Sequence, residues 1–349
     1  MKKEAMFLLS KSALKRQFDS IKKEADFISY SFKTNPVVGK LLEETTKCYI
    51  NISSETHLKK IKDKSRVWFF VQAWNSNEIR KLLNMGIDKF VIDNKTDLDV
   101  LKKFLERRNE KHHKKIWLLL RMKLKEHTIH TGKHFVFGMS ADQVNYEITR
   151  LRNNRNIERL GVHVHRKTQN ISEWSLKQEL RDSLKKETLE AVSFINIGGG
   201  FPVDYKNSRA DIRNIFREIR DLGKWLKDYR IKIMVEPGRF LAAPAIKLRA
   251  YAKSVADNNI IINCSVYNAA PDTFIANTRL MIEGETDDKN GKAYTIKGCT
   301  PDSVDIFRYK VYLKKKPKVG DEITFLNAGA YNFFADFDGL KKLKTKIIN

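Results

Sequence analysis

The chain has 349 residues, 42% of them hydrophobic and 31% charged, a balance that suits a folded globular protein with a large buried core. Its 67 Lys and Arg against 42 Asp and Glu give a net charge of +25, an excess that attracts anions such as phosphates and carboxylates. The basic residues are interleaved with acids, as in Lys102-Lys103-Phe104-Leu105-Glu106-Arg107, with no basic tail or aromatic-basic motif. That pattern favours solvated faces and counts against nucleic-acid binding as the main role.

The start, Met1-Lys2-Lys3-Glu4-Ala5-Met6-Phe7-Leu8-Leu9, lacks a leader-type apolar region and cleavage site, and Ser10-Lys11-Ser12 opens a helical pattern. No apolar run approaches the roughly 18 to 20 residues of a membrane span. Cys48, Cys264 and Cys299 are too few and too scattered for a disulfide framework or zinc knuckle, so a cytoplasmic protein is expected.

From there, short apolar runs at 27–33, 47–52, 67–72, 89–93, 116–122, 160–165, 192–197 and 231–236 read as strands buried on both faces. Between them, apolar residues at three- and four-residue spacing predict helices over 37–44, 76–83, 96–105, 141–151, 176–189 and 212–229. Ser54 and Asn94 stand as caps before two helical patterns. Eight strands alternating with helices predict an α/β fold, a (β/α)8 barrel over residues 10–245, with a doubly wound sheet as the rival. After residue 245 the helical period fades. Runs at 260–267, 278–282, 293–297, 307–313 and 322–326 predict an all-β domain over 246–349, together with the first ~9 residues.

Catalytic groups of a barrel sit at the carboxyl ends of its strands. There the sequence places Lys33, Asn51, Gln72, Asp93, Arg121, His165, the run Gly198-Gly199-Gly200, and Glu236 with Gly238 and Arg239. The glycines either cradle a phosphate with backbone N–H groups or make a tight turn. Glu236 and Arg239 either hold a cofactor ring nitrogen and phosphate oxygens or form a surface pair. His163 and His165 share a strand face, which suits zinc or a histidine stacked on an aromatic cofactor, although no third zinc ligand follows at suitable spacing. Lys33 closes an apolar strand; a barrel lysine in apolar surroundings has a depressed pKa and can form a Schiff base.

Taken in order, these segments resemble the fold-type III pyridoxal-phosphate-dependent decarboxylases, the group of ornithine and diaminopimelate decarboxylases, from Phe7 to Lys344. Tyr30-Ser31-Phe32-Lys33-Thr34-Asn35-Pro36 matches that family's Y-A-V-K-A-N-P motif, and Leu119-Leu120-Arg121-Met122 its barrel arginine. Gly161-Val162-His163-Val164-His165 matches the strand whose last histidine stacks on the ring, and Asn327-Ala328-Gly329-Ala330-Tyr331 matches N-x-G-A-Y. Phe337-Asp338-Gly339 resembles the pocket-lining F-N-G.

Three segments depart from the pattern. The family's D-V-A-S with its later Glu reads Asn51-Ile52-Ser53-Ser54 with His57. Its glycine-serine after the histidine reads Lys167-Thr168. Its C-[DE] pair becomes Cys299-Thr300-Pro301-Asp302, with Asp302 on the acidic position and Cys299 two residues early.

The resemblance implies an alanine-racemase-like barrel with a C-terminal β-domain, pyridoxal phosphate as cofactor, no metal, and a homodimer with shared active sites. It implies Lys33, His165 and Cys299 as catalytic residues. Cofactor contacts would come from Lys33, Arg121, His165, Thr168, Gly198, Gly199, Gly200, Glu236, Gly238, Arg239 and Tyr331. Substrate contacts would come from Asp302, Asn268 and Phe337. Lys33 would hold the cofactor, Glu236 would keep its ring nitrogen protonated, and Cys299 would protonate the α-carbon after carbon dioxide leaves.

Asp302 favours a basic diamino acid such as ornithine or lysine, as in polyamine biosynthesis. The positive charge leaves room for a citryl-diamino acid of siderophore biosynthesis. Diaminopimelate decarboxylation, amino-acid racemisation and a catalytically inactive regulatory homologue are the alternatives.

Overall fold

Eight short strands close into a parallel barrel in the computed structural model, which describes residues 3–107, 114–124, 136–332 and 335–349. They are β2 (Phe27–Ser31), β3 (Tyr49–Ile52), β4 (Val67–Phe70), β5 (Lys89–Ile92), β6 (Ile116–Arg121), β7 (Ile157–His163), β8 (Phe194–Asn196) and β9 (Lys232–Val235). Neighbours pair in chain order, and β2 closes the ring on β9 through Phe27↔Met234 and Ile28↔Val235. The barrel, not the doubly wound sheet, is the fold of this region. It lies in a compact unit made of Ile21–Gly200 and Asp211–Pro237.

Most strands stop short of their apolar runs because capping chemistry takes over the chain. After β2 the backbone makes a 3-10 turn, Phe32–Thr34, and Asn35 then caps helix α2 (Pro36–Thr45). The Asn35 side chain accepts from Val37 N at 3.0 Å and Val38 N at 3.3 Å, while Pro36 sits at the first helical position. Helices α4 (Ser76–Asn84) and α6 (Ala141–Leu151) start with capping boxes at Asn75 and Ser140.

The single helix expected over 176–189 is two, Leu176–Ser183 and Lys186–Ala191. Asn145 of α6 causes the break. Its Nδ2 donates to Ser183 O at 2.8 Å, and its Oδ1 accepts from Lys185 N at 3.0 Å and Thr188 Oγ1 at 2.7 Å. One buried amide thus finishes one helix and starts the next.

The second unit comprises Met1–Ser20, Phe201–Ala210 and Gly238–Asn349. Its seven-stranded sheet runs Ile306–Leu313, Lys292–Lys297, Asn259–Ile262, Ile246–Ala256, Met6–Ser10, Lys344–Ile348, with Glu322–Phe325 also paired to Ile246–Ala256. The sheet is joined by three short helices, Arg239–Ala245, Val266–Ala269 and Asp272–Ile275, which an all-β reading misses. The run 260–267 leaves the sheet at Ile262 because Ser265 and Asn268 form a capping box that starts a helix. Residues 278–282 make only the bridge Ile282↔Phe325. No described helix is long and apolar enough to cross a membrane.

Candidate active site

Register partners on parallel strands face the same side, so the pairings place side chains in layers inside the barrel. Ser31↔Asn51, Arg121↔His163 and His163↔Asn196 turn five polar residues inward at or near the carboxyl ends of their strands. Glu236, directly after β9, joins them. The Glu236 carboxylate accepts from Asn196 Nδ2 at 2.7 Å and lies 3.3 Å from His163 Nε2. Arg121 Nη1 reaches Asp93 Oδ1 at 2.9 Å.

The two histidine rings of β7 and its extension are stacked, 6.2 Å apart and 9° from parallel, as the alternation along the strand requires. Gly199 N donates to His165 Nδ1 at 3.1 Å, so the neutral ring carries its proton on Nε2. Burial, and then the neighbouring His163, Arg121 and Lys33, hold His165 down at about 3. Burial alone would raise Glu236. The charge and hydrogen bond of His163, with His165 and Asn196, outweigh it and hold the carboxyl below its usual range. The rim therefore presents a neutral imidazole beside a buried carboxylate.

Lys33 stands on the 3-10 turn beyond β2 and is exposed, with its ammonium close enough to act on His165. The apolar surroundings expected for it are absent. The turn carries the lysine past the last apolar layer.

Gly198 and Gly200 have φ of +69° and +89°. A Cβ on Gly198 would meet Val164 O at 2.5 Å, and one on Gly199 would meet Glu236 O at 2.7 Å. Packing against neighbouring backbone thus demands glycine at both positions. Thr168, on the loop after His165, is exposed. Gly238 has an ordinary φ of −91°, and its carbonyl opens the helix Arg239–Ala245 by accepting from Ala242 N at 3.0 Å.

A zinc reading gains a third group that sequence spacing did not offer. Ligand atoms of His163, His165 and Glu236 lie within 4.8 Å of one another. Hydrogen bonds from Gly199 and Asn196 already occupy two of these residues.

Pyridoxal phosphate fits the rim on two grounds. An exposed amine, Lys33, can bond its aldehyde carbon, and a buried ionised carboxylate, Glu236, can hold its ring nitrogen protonated. Several enclosed polar atoms also lack a partner among the described residues, including Asn51 Nδ2, Thr34 Oγ1 and His163 Nδ1. Such atoms call for a polar ligand or water.

In the second unit Arg239 is buried. Its Nη1 bonds Asp272 Oδ2 at 2.7 Å and Tyr205 OH at 2.8 Å, and the Tyr331 ring lies 5.0 Å from the guanidinium carbon. Arg239 and Tyr331 are thus brought together, but a carboxylate balances the arginine. Asp272 has no sequence signal beyond being an acid in the apolar run Ala269-Ala270-Pro271-Asp272-Thr273-Phe274.

Asp302 and Phe337 also meet, through Tyr267. Tyr267 OH donates to Asp302 Oδ2 at 2.7 Å, and the Tyr267 and Phe337 rings lie 4.4 Å apart. That hydrogen bond lowers the Asp302 pKa. The Phe274 ring also lies 5.6 Å from Tyr267. Sequence reading passed over Tyr267, whose role depends on a partner 35 residues away.

Cys299, on the same loop as Asp302, is half-buried, and its N donates to Cys264 O at 3.1 Å. Burial, then Asp305, raises its thiol pKa. The buried Asp305 pins this loop by accepting from Thr300 N, Thr300 Oγ1 and Val266 N. The Asn268 side chain is bonded at both ends within the protein. Its Oδ1 accepts from Ser265 N at 3.0 Å and its Nδ2 donates to Lys341 O at 2.9 Å.

Residues 11–243 match the family model described as "Pyridoxal-dependent decarboxylase, pyridoxal binding domain". The chain is similar to the diaminopimelate decarboxylase of Staphylococcus aureus (strain COL), with 24% identity over 298 residues, 77% of this chain and 67% of that protein. Its fold is similar to Helicobacter pylori diaminopimelate decarboxylase complexed with L-lysine, at TM-score 0.81 and 18% identity, covering 100% of this chain and 92% of that one. It is also similar to Vibrio vulnificus lysine/ornithine decarboxylase complexed with cadaverine, at TM-score 0.77 and 20% identity, covering 99% and 94%.

Proposed function

Because the chain belongs to the pyridoxal-phosphate-dependent amino-acid decarboxylases, we propose that it releases carbon dioxide from a basic diamino acid of the ornithine and lysine kind. The observation that carries this reading is the pairing of Asp302 with Tyr267, walled by Phe337 and Phe274. An ionised carboxylate among aromatic faces suits a distal ammonium group. A citryl conjugate would instead set its own carboxylates against Asp302, with the repulsion that entails.

Bound pyridoxal phosphate supplies the electron sink for the bond to the leaving carboxylate. In this reading Lys33 would anchor the cofactor through its exposed amine. Glu236, held ionised, would accept a hydrogen bond from the protonated ring nitrogen, and His165, held neutral, would pack against the ring. On the family resemblance Arg239, held by Asp272, and Tyr331 would serve the cofactor phosphate. Cys299 keeps its proton at neutral pH because its pKa is raised, so the thiol can deliver a proton to the α-carbon. On the family resemblance, Cys299 and Asp302 act in the barrel of a second copy.

Diaminopimelate is the second reading, favoured by the similarity to the S. aureus enzyme. Carbon dioxide release from ornithine, lysine and diaminopimelate separates the two. Ornithine or lysine should turn over fastest, and Asp302→Asn should raise KM for it about tenfold or more with a smaller change in kcat. Turnover of diaminopimelate alone, or an unchanged KM in Asp302→Asn, would sink the diamino-acid reading.

A further inference from the structure

Asn51 is only 7% exposed and stands near the carboxyl end of β3, with Ser31, two residues before Lys33, as its register partner on β2. Ser31 Oγ donates to Asn51 Oδ1 at 3.2 Å, which orients the amide. The other end of the amide, Nδ2, is enclosed and meets no acceptor among the described residues. Two carboxylates at the strand ends are already engaged. Glu236 is held by Asn196 and His163, and Asp93 by Arg121. A buried donor left unsatisfied is destabilising, and in native structures it commonly marks a place that a ligand completes.

We propose that Asn51 Nδ2 is a ligand donor that hydrogen-bonds an anionic oxygen of the group bound at the rim. Two sources carry that chemistry, the ring oxygen of pyridoxal phosphate and the α-carboxylate of the amino-acid substrate. Ser31 is the positioning residue, since its hydroxyl occupies Oδ1 and turns the donor end inward. The inference rests on the rim being the cofactor site.

Asn51→Asp tests it, because the isosteric change replaces the donor by an acceptor and adds negative charge. Apoprotein would be titrated with pyridoxal phosphate, followed by absorbance, and the pH midpoint between the cofactor's protonated and unprotonated bands recorded. If the partner is the ring oxygen, Asn51→Asp should weaken cofactor binding about tenfold or more. The band midpoint should then rise by about one pH unit, since added negative charge favours the protonated form. If the partner is the substrate carboxylate, cofactor binding should hold while KM rises about tenfold with kcat retained.

Asn51→Leu removes the donor without adding charge and should weaken the same step. Ser31→Ala should act in the same direction to a smaller extent. A merely structural role would lower the melting temperature of these variants without moving the band midpoint or KM, and that result overturns the proposal. Should wild-type protein show no cofactor band at all, the rim is not the cofactor site and the premise falls instead.

Discussion

The two ends of the barrel are built from the same strands and obey opposite rules. At the amino ends, the rings of Phe27, Tyr49, Trp68, Trp117 and Phe194 lie with neighbouring centroids between 5.6 and 6.5 Å apart, tilted or edge-on. The buried cation of this floor, Lys89, is fully served. Its Nζ meets Asp88 Oδ1 at 2.6 Å and Ser65 O at 2.7 Å, and it lies 5.0 Å from the Trp117 ring. At the carboxyl rim, enclosed polar atoms of Asn51, Thr34 and His163 are left unpaired. Among the described residues the floor also has two such atoms, Trp68 Nε1 and the Oγ of Ser29, the register partner of Tyr49. Apart from that, it spends its residues on packing and satisfied charge, while the rim keeps polar atoms for something else. Stability and chemistry are thus separable along a single strand, only a few residues apart.

If so, a rim change and a floor change should fail in different ways. The largest effect should come from Lys33→Ala, which removes the amine that anchors the cofactor. Carbon dioxide release should drop by about a thousandfold or more. Because Lys33 is exposed, the unfolding midpoint should barely move. An unchanged cofactor band in this variant would break the assignment of the rim.

Trp68→Ala should do the reverse. Trp68 is 1% exposed, and truncating such an aromatic in a packed core costs about 3–5 kcal/mol of stability. The folded fraction should still bind pyridoxal phosphate with normal affinity. If cofactor affinity per folded molecule fell as far as stability did, the two ends would not be separable.

This division also explains what was legible in the sequence. Strands show themselves as apolar runs, so the order and number of barrel strands could be read directly, and so could Lys33, His165 and Glu236 at their ends. Their surroundings could not. Lys33 reads as enclosed because Phe32 and Tyr30 precede it, yet the 3-10 turn lifts it into solvent. Asn268 reads as a substrate contact, yet its amide is consumed by Ser265 and Lys341 backbone. Asp272 and Tyr267 carry no pattern of their own, since each matters only through a partner distant in sequence. Asn145 likewise splits a helical pattern that is continuous in the apolar period. Periodicity reports burial, whereas the partner of a buried polar group is decided by tertiary contacts.

The last effect expected is a pH dependence of stability to which His165 of the rim contributes. His165 titrates at about 3 in the folded protein against an ordinary value of 6.5. Between those values the unfolded chain binds a proton that the folded chain refuses, so stability falls as pH drops from about 6.5 to about 3 and is level above that window. Glu236 adds to the loss further into acid. Its folded value is lowered, so its contribution, present above the unfolded value, disappears as pH falls through the folded one. His165→Phe keeps an aromatic ring but has no proton to bind. Its urea unfolding midpoint should therefore decline less between pH 6.5 and pH 3 than that of the wild type, whatever the other groups contribute to both. Parallel pH profiles for the two proteins would mean that His165 is not held neutral by burial, and the contrast between a rim poised by its charges and a floor that merely packs would lose its electrostatic half.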